Sequence, residues 1–482
     1  GDTRVMDFVT EVQDGDSEIC MMGLSNGPRV TMKKSTFDKN HCAICVHASG
    51  GIALETAEHP GAVAIGVSSM TDSGCGGFSA DAVERFCARW GVNLQDACSP
   101  EGIYFWFSFC TGDETRVEKA FQILHTVIAY PCFEEKALSR AKRDVRIAHA
   151  ERLRSLERSA QHHCYAEICT PSDPRMVDLT PEQVESLDQA TVTRAVMRQL
   201  CPSNLEVIIV GDFDHDSIKR NVLLYIGTIP RITPPGGPSA AVAALREGRF
   251  KLSLTQENRR VTTSVLEDSS RASIVWTFPT FNRWGVCSAL RLWEPPGADD
   301  WKSAGRERNG AMFWSRCLCV ASEMANVRLV NHVRERMGLV YGINLVWLPF
   351  EVYDCGLMQL EYSPDPEGLD VAQQEVRNVF TGILSEGFTQ EELSRAVGPL
   401  VAGVRESVET NGFWQEILCH LQTSLTPKST HCLHDVPSGY LSLSLSDINH
   451  VVRRAWPLWD EARIECVGVT NNKHQLQQCP AA

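Results

Sequence analysis

Arg334 and Tyr341 are the two residues whose types and spacing best suit a chemical role. They lie seven residues apart, Arg334 near the end of a predicted helix and Tyr341 at the start of a predicted strand. A guanidinium and a phenol hydroxyl held in fixed positions can stabilise negative charge that develops during a reaction. Alternatively, Arg334 caps the helix C-terminus through the helix dipole, and Tyr341 fills a face of the strand. From the residues alone, the second, structural interpretation is favoured.

The sequence contains no zinc-peptidase motif. In H-x-x-E-H and H-E-x-x-H, two His on one helix face bind zinc and the Glu activates a bound water, and neither occurs in the 482 residues. Cys42-Ala-Ile-Cys45 is a CxxC, but it lies in an apolar segment typical of a strand, and no second CxxC completes a zinc site. The sequence therefore predicts that this chain binds no metal.

The composition is that of a globular protein with a sizeable core, since 43% of residues are hydrophobic and 22% charged. The net charge of -14 disfavours nucleic acid and anionic membranes as partners and suits a cationic peptide, although acidic soluble proteins are common. The 19 cysteines show no framework spacing, which predicts reduced thiols in an intracellular compartment. No apolar run approaches a membrane span, and a targeting peptide would not be visible in a chain that starts at Gly1.

The predicted helices and strands that would position these residues form two halves of the chain. The elements follow a similar order in each half. The first half contains predicted strands at 41–49, 92–95, 103–110 and 205–210, and helices at 61–70, 79–89, 114–130, 134–163 and 214–225. The second half contains predicted strands at 272–278, 340–348, 357–362 and 463–469, and helices at 312–336, 366–386, from 389 onward and 447–456. A Pro/Gly-rich linker separates the halves, and residues 280–310 suggest a surface insertion.

Six motifs in a fixed order carry a resemblance to a known family. They are Leu24-Ser-Asn-Gly-Pro-Arg-Val30 through Ser49-Gly-Gly51, Asp173-Pro-Arg175 through Leu187-Asp188, Asn204 through Gly211-Asp212, Tyr225-Ile-Gly-Thr-Ile-Pro230, Leu329 through Tyr341, and Thr410-Asn-Gly-Phe-Trp414. Each motif alone is weak, but their order along most of the chain is specific. The sequence resembles the pitrilysin/insulinase family of zinc metallopeptidases (inverzincins), and within it the PqqL-like subgroup.

The resemblance implies an α+β fold. In this family four homologous domains form two halves that close around a peptide, and the first domain carries the zinc. This chain would supply a third-domain-like unit without a zinc motif at 1–235, a linker at 236–268 and a fourth-domain-like unit at 269–482. Each unit would be an antiparallel or mixed β-sheet packed with helices. The family's zinc helix, placed on residues 61–70, puts Ala64, Val67 and Ser68 in the three functional positions, and none of them can usefully bind Zn²⁺.

The resemblance also implies a function. The chain would be the C-terminal half of a zinc metalloendopeptidase, inactive alone and without a cofactor of its own. Zinc and H-x-x-E-H would belong to an N-terminal catalytic half, from the same precursor or a separate chain. Arg334 and Tyr341 would bind the peptide substrate and support the transition state, as such a pair does in the family. The alternative is an inactive pseudopeptidase, a structural subunit of a larger organellar complex. The family resemblance also suggests that the protein is located in a plastid or a mitochondrion.

Overall fold

The computed structural model divides the chain into two compact units, each made of three separate segments. The first unit comprises Gly1–Arg146, Leu179–Phe250 and Arg405–His434, and the second comprises Ile147–Asp178, Lys251–Val404 and Asp435–Ala482. The structure describes residues 8–14, 18–169, 174–230, 252, 254, 257–267, 269–288, 310–423, 425–433 and 435–471.

A mixed seven-stranded sheet forms the centre of the first unit. Its strands are β1 (Phe8–Asp14), β2 (Ile19–Leu24), β3 (Arg29–Lys34), β4 (His41–Ser49), β5 (Asn93–Cys98), β6 (Gly102–Cys110) and β7 (Leu205–Gly211). Their order is β1-β2-β3-β7-β4-β6-β5, in which β3 and β7 run parallel and the other neighbours antiparallel. All seven residues of β7 are buried, as expected for a central strand covered on both faces.

The helices of the first unit follow amphipathic patterns and side-chain caps. They are α1 (Ala62–Thr71), α2 (Ala80–Trp90), α3 (Glu114–Ala129) and α4 (Glu135–Arg152), and, after α5 (Leu156–Ile168) of the second unit, α6 (Pro181–Glu185), α7 (Gln189–Met197) and α8 (His215–Asn221). Helix α3 begins at Asp113, whose side chain accepts the amide N–H of Thr115, and it buries residues three and four apart such as Val117, Phe121 and Leu124. The sheet therefore presents its apolar residues to helices that expose only their polar side.

The two faces of the first sheet carry different layers because successive residues of a strand point to opposite faces. On β4, Ile44 and Val46 join the main core beneath helices such as α1 and α3. Cys45 belongs to a second apolar cluster on the other face, where Leu418 and Leu421 pack against it. We call residues 405–434 the covering segment, because they supply this second layer.

The second unit is built on a mixed five-stranded sheet. Its strands are β8 (Arg259–Leu266), β9 (Ala272–Thr280), β10 (Val340–Leu348), β11 (Gly356–Pro364) and β12 (Ile464–Asn471), in the order β10-β11-β9-β12-β8. Only the β12–β8 pair is parallel. The later helices are α9 (Gly310–Leu329), α10 (Leu369–Ser385), α11 (Gln390–Ser407), α12 (Asn411–Ile417), α13 (Val436–Leu441), α14 (Leu445–Ala455) and α15 (Leu458–Glu461). Helix α12 lies in the covering segment.

Helix α5 packs along β9 and β12 of the second sheet, although it precedes that sheet in sequence by about a hundred residues. The fully buried Sγ of Cys164 lies 3.2 Å from the carbonyl oxygen of Val275.

The sequence predicts one helix over 134–163, and this prediction is wrong. Helix α4 ends at Arg152, and a new helix starts where the Ser155 hydroxyl accepts the amide N–H of Arg158. A serine whose hydroxyl accepts the backbone amide three residues ahead favours a helix cap over a helix interior.

The predicted α+β class is confirmed, since both units pack helices on a mixed sheet. Strand β8 lies inside the range 236–268 that the sequence predicts as linker, because most of its side chains are exposed or half-exposed and give little apolar signal. The rest of that linker and most of the insertion at 280–310 lie outside the described residues. The domain boundaries 1–235 and 269–482 stay a prediction. Across the described helices, none is long and apolar enough to cross a membrane.

Candidate functional site

Helix α1 holds the three positions that the family resemblance assigns to the zinc site. Val67 is 1% exposed, Ala64 is half-buried and Ser68 is exposed, so the three do not share one environment. The helix, with sequence AVAIGVSSMT, contains no His, Cys, Asp or Glu. These residues do not fit zinc, because they offer no imidazole, thiolate or carboxylate as a ligand.

The nearest carboxylate to this helix start has a structural task. Glu55 accepts hydrogen bonds from the amides of Gly61 at 2.6 Å and Val63 at 2.9 Å, two donors that the first helical turn leaves unpaired. Burial raises the pKa of Glu55, while these amide hydrogen bonds oppose the rise. Glu55 therefore caps the helix.

The predicted CxxC is not a metal site either. Cys42 belongs to the main core of the first unit and Cys45 to the cluster on the other face of the sheet. Burial raises the pKa of the Cys42 thiol, which disfavours the thiolate that binds metals. No disulfide joins the cysteines that lie within the described residues.

Arg334 lies in the last turn of the helix that continues from α9. This turn, Val330–Arg336, has π-helical hydrogen bonding, an irregularity that is frequent at functional sites. The Arg334 side chain is 51% exposed, and its Nε lies 3.7 Å from Oε1 of the neighbouring Glu335. An ion pair this exposed contributes little to stability. The guanidinium is therefore available to an external anion or carbonyl group.

Tyr341 lies across the turn from Arg334, on strand β10. The strand register shifts between Val340 and Ile343, so that Tyr341 sits in a bulge, and its side chain is 73% exposed. It does not fill a buried face of its strand. Bulges at sheet edges re-aim side chains and often lie beside active sites. Among the described strands β10 pairs only with β11, so its other edge has backbone groups that can bind an extended peptide.

Arg334 and Tyr341 thus flank one turn, closed at Gly338 with a left-handed φ of 62°. A guanidinium, a phenol hydroxyl and an open strand edge meet on one exposed stretch of the second unit. Such groups can bind peptide carbonyl oxygens and stabilise negative charge on an oxygen atom. By themselves they supply no nucleophile and no activated water. The chemistry of these groups suits the binding of an extended peptide.

Sequence reasoning missed a second group of chemically capable residues, the cluster of His47, Glu206 and His420 in the first unit. All three are buried, and their ligand atoms lie within 4.8 Å of one another. They come from β4, β7 and the covering segment. Spacing in the sequence cannot reveal such a group, because only the pairing of β4 with β7 makes two of them neighbours.

Comparison with known proteins places this architecture in one family. The family described as "Peptidase M16 inactive domain" matches residues 187–400. The periplasmic protease PqqL from Escherichia coli superposes with a TM-score of 0.76 at 15% identity, over 97% of this chain and 47% of that one. A peptidase M16 inactive domain from Pseudomonas fluorescens has a TM-score of 0.70 at 13% identity, over 93% of this chain and 98% of the other.

The curated relatives are longer proteins. The chloroplastic stromal processing peptidase of Arabidopsis thaliana is 28% identical over 487 residues, which is 96% of this chain but 38% of that protein. The chain thus spans about two fifths of the length of the curated relatives it matches. Sequence, family match and fold agree with the predicted resemblance. The resemblance to the pitrilysin/insulinase family is thus confirmed, because residues 187–400 match the M16 inactive domain and nearly the whole chain is similar to part of the stromal processing peptidases.

Proposed function

We propose that this chain is the zinc-free C-terminal half of an M16 metalloendopeptidase and completes a peptide-binding chamber for a separate catalytic half. The observation that carries this proposal is the alignment of nearly the whole chain with part of a processing peptidase. The absence of H-x-x-E-H from the sequence fits that division of labour. In this role Arg334 and Tyr341 bind the peptide backbone and support the transition state, and zinc belongs to the other half.

A mixing experiment tests the proposal. The chain is expected to cleave no peptide alone, whereas mixing it with the H-x-x-E-H-bearing half of the same system should produce cleavage well above that of the catalytic half alone. The matched control is a catalytic half in which the Glu of H-x-x-E-H is replaced by Gln, which lacks the base. Cleavage by the chain alone, or a catalytic half that is fully active without it, would contradict the proposal.

The same experiment separates the two functions that the sequence leaves open. A structural subunit without a catalytic role would bind its partner yet leave peptide cleavage unchanged. The exposed Arg334 and Tyr341 favour the peptidase half, because a scaffold has no use for a solvent-exposed phenol in a strand bulge. A stable complex without any gain in cleavage would favour the scaffold.

We also propose that the protein works in a plastid. The curated relatives are chloroplastic stromal processing peptidases, and no disulfide joins the described cysteines, which fits a reducing compartment. Expression of the complete gene product with a C-terminal fluorescent tag is expected to label plastids. Labelling of mitochondria would contradict the location while leaving the peptidase role intact.

A further inference from the structure

The cluster of His47, Glu206 and His420 is built by the pairing of two central strands. His47 on β4 and Glu206 on β7 are directly opposite in the antiparallel register, so their side chains lie side by side on the face that the covering segment closes. His420 belongs to that segment, just after α12. Its ring meets the ring of His47 edge-on, with 4.5 Å between the centroids. Three potential ligands therefore converge between a sheet and its cover.

Glu206 is a charged carboxylate shielded from water, with only 3% of its surface exposed. Its Oε2 accepts the amide N–H of His420 at 2.9 Å, and its Oε1 accepts that of Gln422 at 3.0 Å. A carboxylate has about four lone-pair positions, so two amides leave room for a cation.

His47 is the residue that points to a ligand. It is 0% exposed, and neither ring nitrogen has a hydrogen-bond partner in the part of the chain that the structure describes. Its Nδ1 lies 3.5 Å from Oε2 of Glu206, which is the outer limit of a hydrogen bond. Its Nε2 faces Gly102, where an added Cβ would come within 2.4 Å. A fully buried imidazole that has one long contact at Nδ1 and no hydrogen bond at Nε2 requires an explanation, and a bound ion is one.

The backbone of the covering segment is held in place at the same point. His420 has a left-handed φ of 62°, a conformation that non-glycine residues seldom adopt. The carbonyl oxygen of His420 accepts hydroxyl hydrogen bonds from Thr423 at 3.4 Å and Thr426 at 3.3 Å. The turn therefore fixes both the amide that binds Glu206 and the ring beside His47.

We propose that His47, Glu206 and His420 bind one Zn²⁺ ion. Zinc bonds to imidazole nitrogen and carboxylate oxygen are about 2.0–2.2 Å long, and a tetrahedron of such bonds has edges of roughly 3.3–3.5 Å. The separation of 3.5 Å between Nδ1 of His47 and Oε2 of Glu206 matches such an edge. Since all the ligand atoms lie within 4.8 Å of one another, small ring rotations bring them to bonding distance.

The role of this ion is structural. Imidazole nitrogens and carboxylate oxygens are ligands that Zn²⁺ commonly binds in proteins. Zn²⁺ has no redox chemistry, and its structural sites are closed to solvent. The ion ties the covering segment to β4 and β7, and burial leaves no path for a substrate. A zinc ion at this cluster departs from the sequence-based expectation that this chain binds no metal. If the zinc proposal fails, the proposed peptidase role is unaffected.

Metal analysis of the full chain tests the proposal. The chain is purified in reducing buffer, stripped of metal with a chelator and titrated with Zn²⁺ and, separately, with Co²⁺. We expect about one equivalent of Zn²⁺ per chain and a rise in the thermal unfolding midpoint on binding. A chain that takes up neither ion at micromolar concentration overturns the proposal.

Variants identify the ligands. Glu206→Gln and His47→Gln keep the side-chain size and are expected to weaken Zn²⁺ binding by more than about 100-fold, since even groups that only support a ligand cost 10- to 100-fold. His125→Gln is the matched control. Its Nδ1 contacts the carbonyl oxygen of Tyr225 at 2.6 Å, outside the cluster, so this variant should still bind one equivalent. Folded ligand variants that retain full binding overturn the assignment.

If the variants fail to fold, X-ray absorption at the zinc edge identifies the atoms that bind the metal. The proposed site predicts nitrogen and oxygen neighbours at about 2.0–2.1 Å and no sulfur. Sulfur at about 2.3 Å would assign the zinc to cysteines of this Cys-rich chain and overturn the proposal.

Discussion

At the scale of single residues, Arg334 can be compared with a close neighbour. Arg334 and Arg336 lie on the same π-helical turn and both are exposed, but their side chains leave the turn in different directions. We predict that Arg334→Ala lowers kcat of the reassembled peptidase by up to about 100-fold, with a smaller effect on KM, because the guanidinium acts on charge that develops in the transition state. Steady-state kinetics with a fluorogenic peptide measure both constants.

Arg336→Ala is the control for this measurement and should change kcat little. Equal losses in the two variants would indicate a general electrostatic effect on peptide binding. An unchanged kcat in Arg334→Ala would reject the transition-state role.

Tyr341→Phe removes one hydroxyl and keeps the ring in the bulge of β10. We predict a loss in kcat of about 10-fold or more, without a change in the thermal unfolding midpoint, because the side chain is 73% exposed and its hydroxyl faces solvent. Tyr130→Phe, on a tyrosine that is 52% exposed in the first unit, is the matched control and should remain fully active. A fall in unfolding midpoint for Tyr341→Phe would point to packing instead.

Sequence reasoning reached these two residues but not the buried cluster, for a physical reason. Arg334 and Tyr341 lie within one short motif, whereas Glu206 becomes a neighbour of His47 only through strand pairing. In the sequence, Glu206 is a single acid inside an apolar strand, LEVIIVG, and gives no sign of its partners. Contacts between distant segments are set by register, which one sequence does not reveal.

At the scale of elements, the start of helix α11 shows how a cap and an ion pair combine. The Glu392 amide donates to the Thr389 hydroxyl at 3.3 Å, and the Glu392 carboxylate accepts the Thr389 amide at 2.8 Å, so the two residues form a capping box. The same carboxylate binds Arg328 of α9 through two bonds of 2.6 Å. Burial raises the pKa of Glu392, but these hydrogen bonds outweigh it and lower this pKa below the ordinary value.

We predict that Glu392→Gln lowers the free energy of unfolding by about 1 kcal/mol at pH 7, because Gln keeps the capping box but loses the partly buried ion pair with Arg328. Because the folded-state pKa is lowered, this contribution is present above the unfolded-state pKa of about 4.5 and disappears as the pH falls through the folded-state value. The difference between wild type and variant should therefore shrink below pH 4. Chemical unfolding at several pH values measures it.

Glu391→Gln is the control, because Glu391 lies in the same first turn but is 73% exposed. It should cost only a few tenths of a kcal/mol. A difference between wild type and Glu392→Gln that stays constant down to pH 3 would contradict the ion-pair explanation.

Most elements could be predicted because their signals are local. Helices α3 and α10 follow apolar spacings of three and four, and β6 is rich in aromatic residues. The helix break at Ser155 and the strand β8 could not be predicted with the same rules. The break after α4 is marked only by the side-chain cap that begins α5 at Ser155. Strand β8 is an exposed edge strand and has no alternating apolar pattern.

At the scale of the whole molecule, the first unit depends on residues far along the chain. Without the covering segment, the face of the first sheet that carries Cys45 and Ile208 would be open to water. We predict that a fragment of residues 1–235 exposes this apolar face, binds a hydrophobic dye strongly and unfolds without a sharp transition. Dye fluorescence and thermal scans check this prediction. Adding residues 405–434 as a separate peptide should reduce dye binding.

A fragment 1–235 that unfolds cooperatively, as the full chain does, would contradict this account. It would favour the contiguous domain boundaries that the sequence predicts.

Because the covering segment comes late in the sequence, the ribosome synthesises it long after the sheet that it covers. Strand β7 ends at Gly211, but its cover is not complete until His434. At about 5–20 residues per second, the nascent chain spends roughly 10–45 s with this sheet face uncovered. During that interval the face is an attractive target for holdase chaperones and for other nascent chains. The yield of native protein should therefore respond to elongation speed, and slower translation in this stretch should increase aggregation.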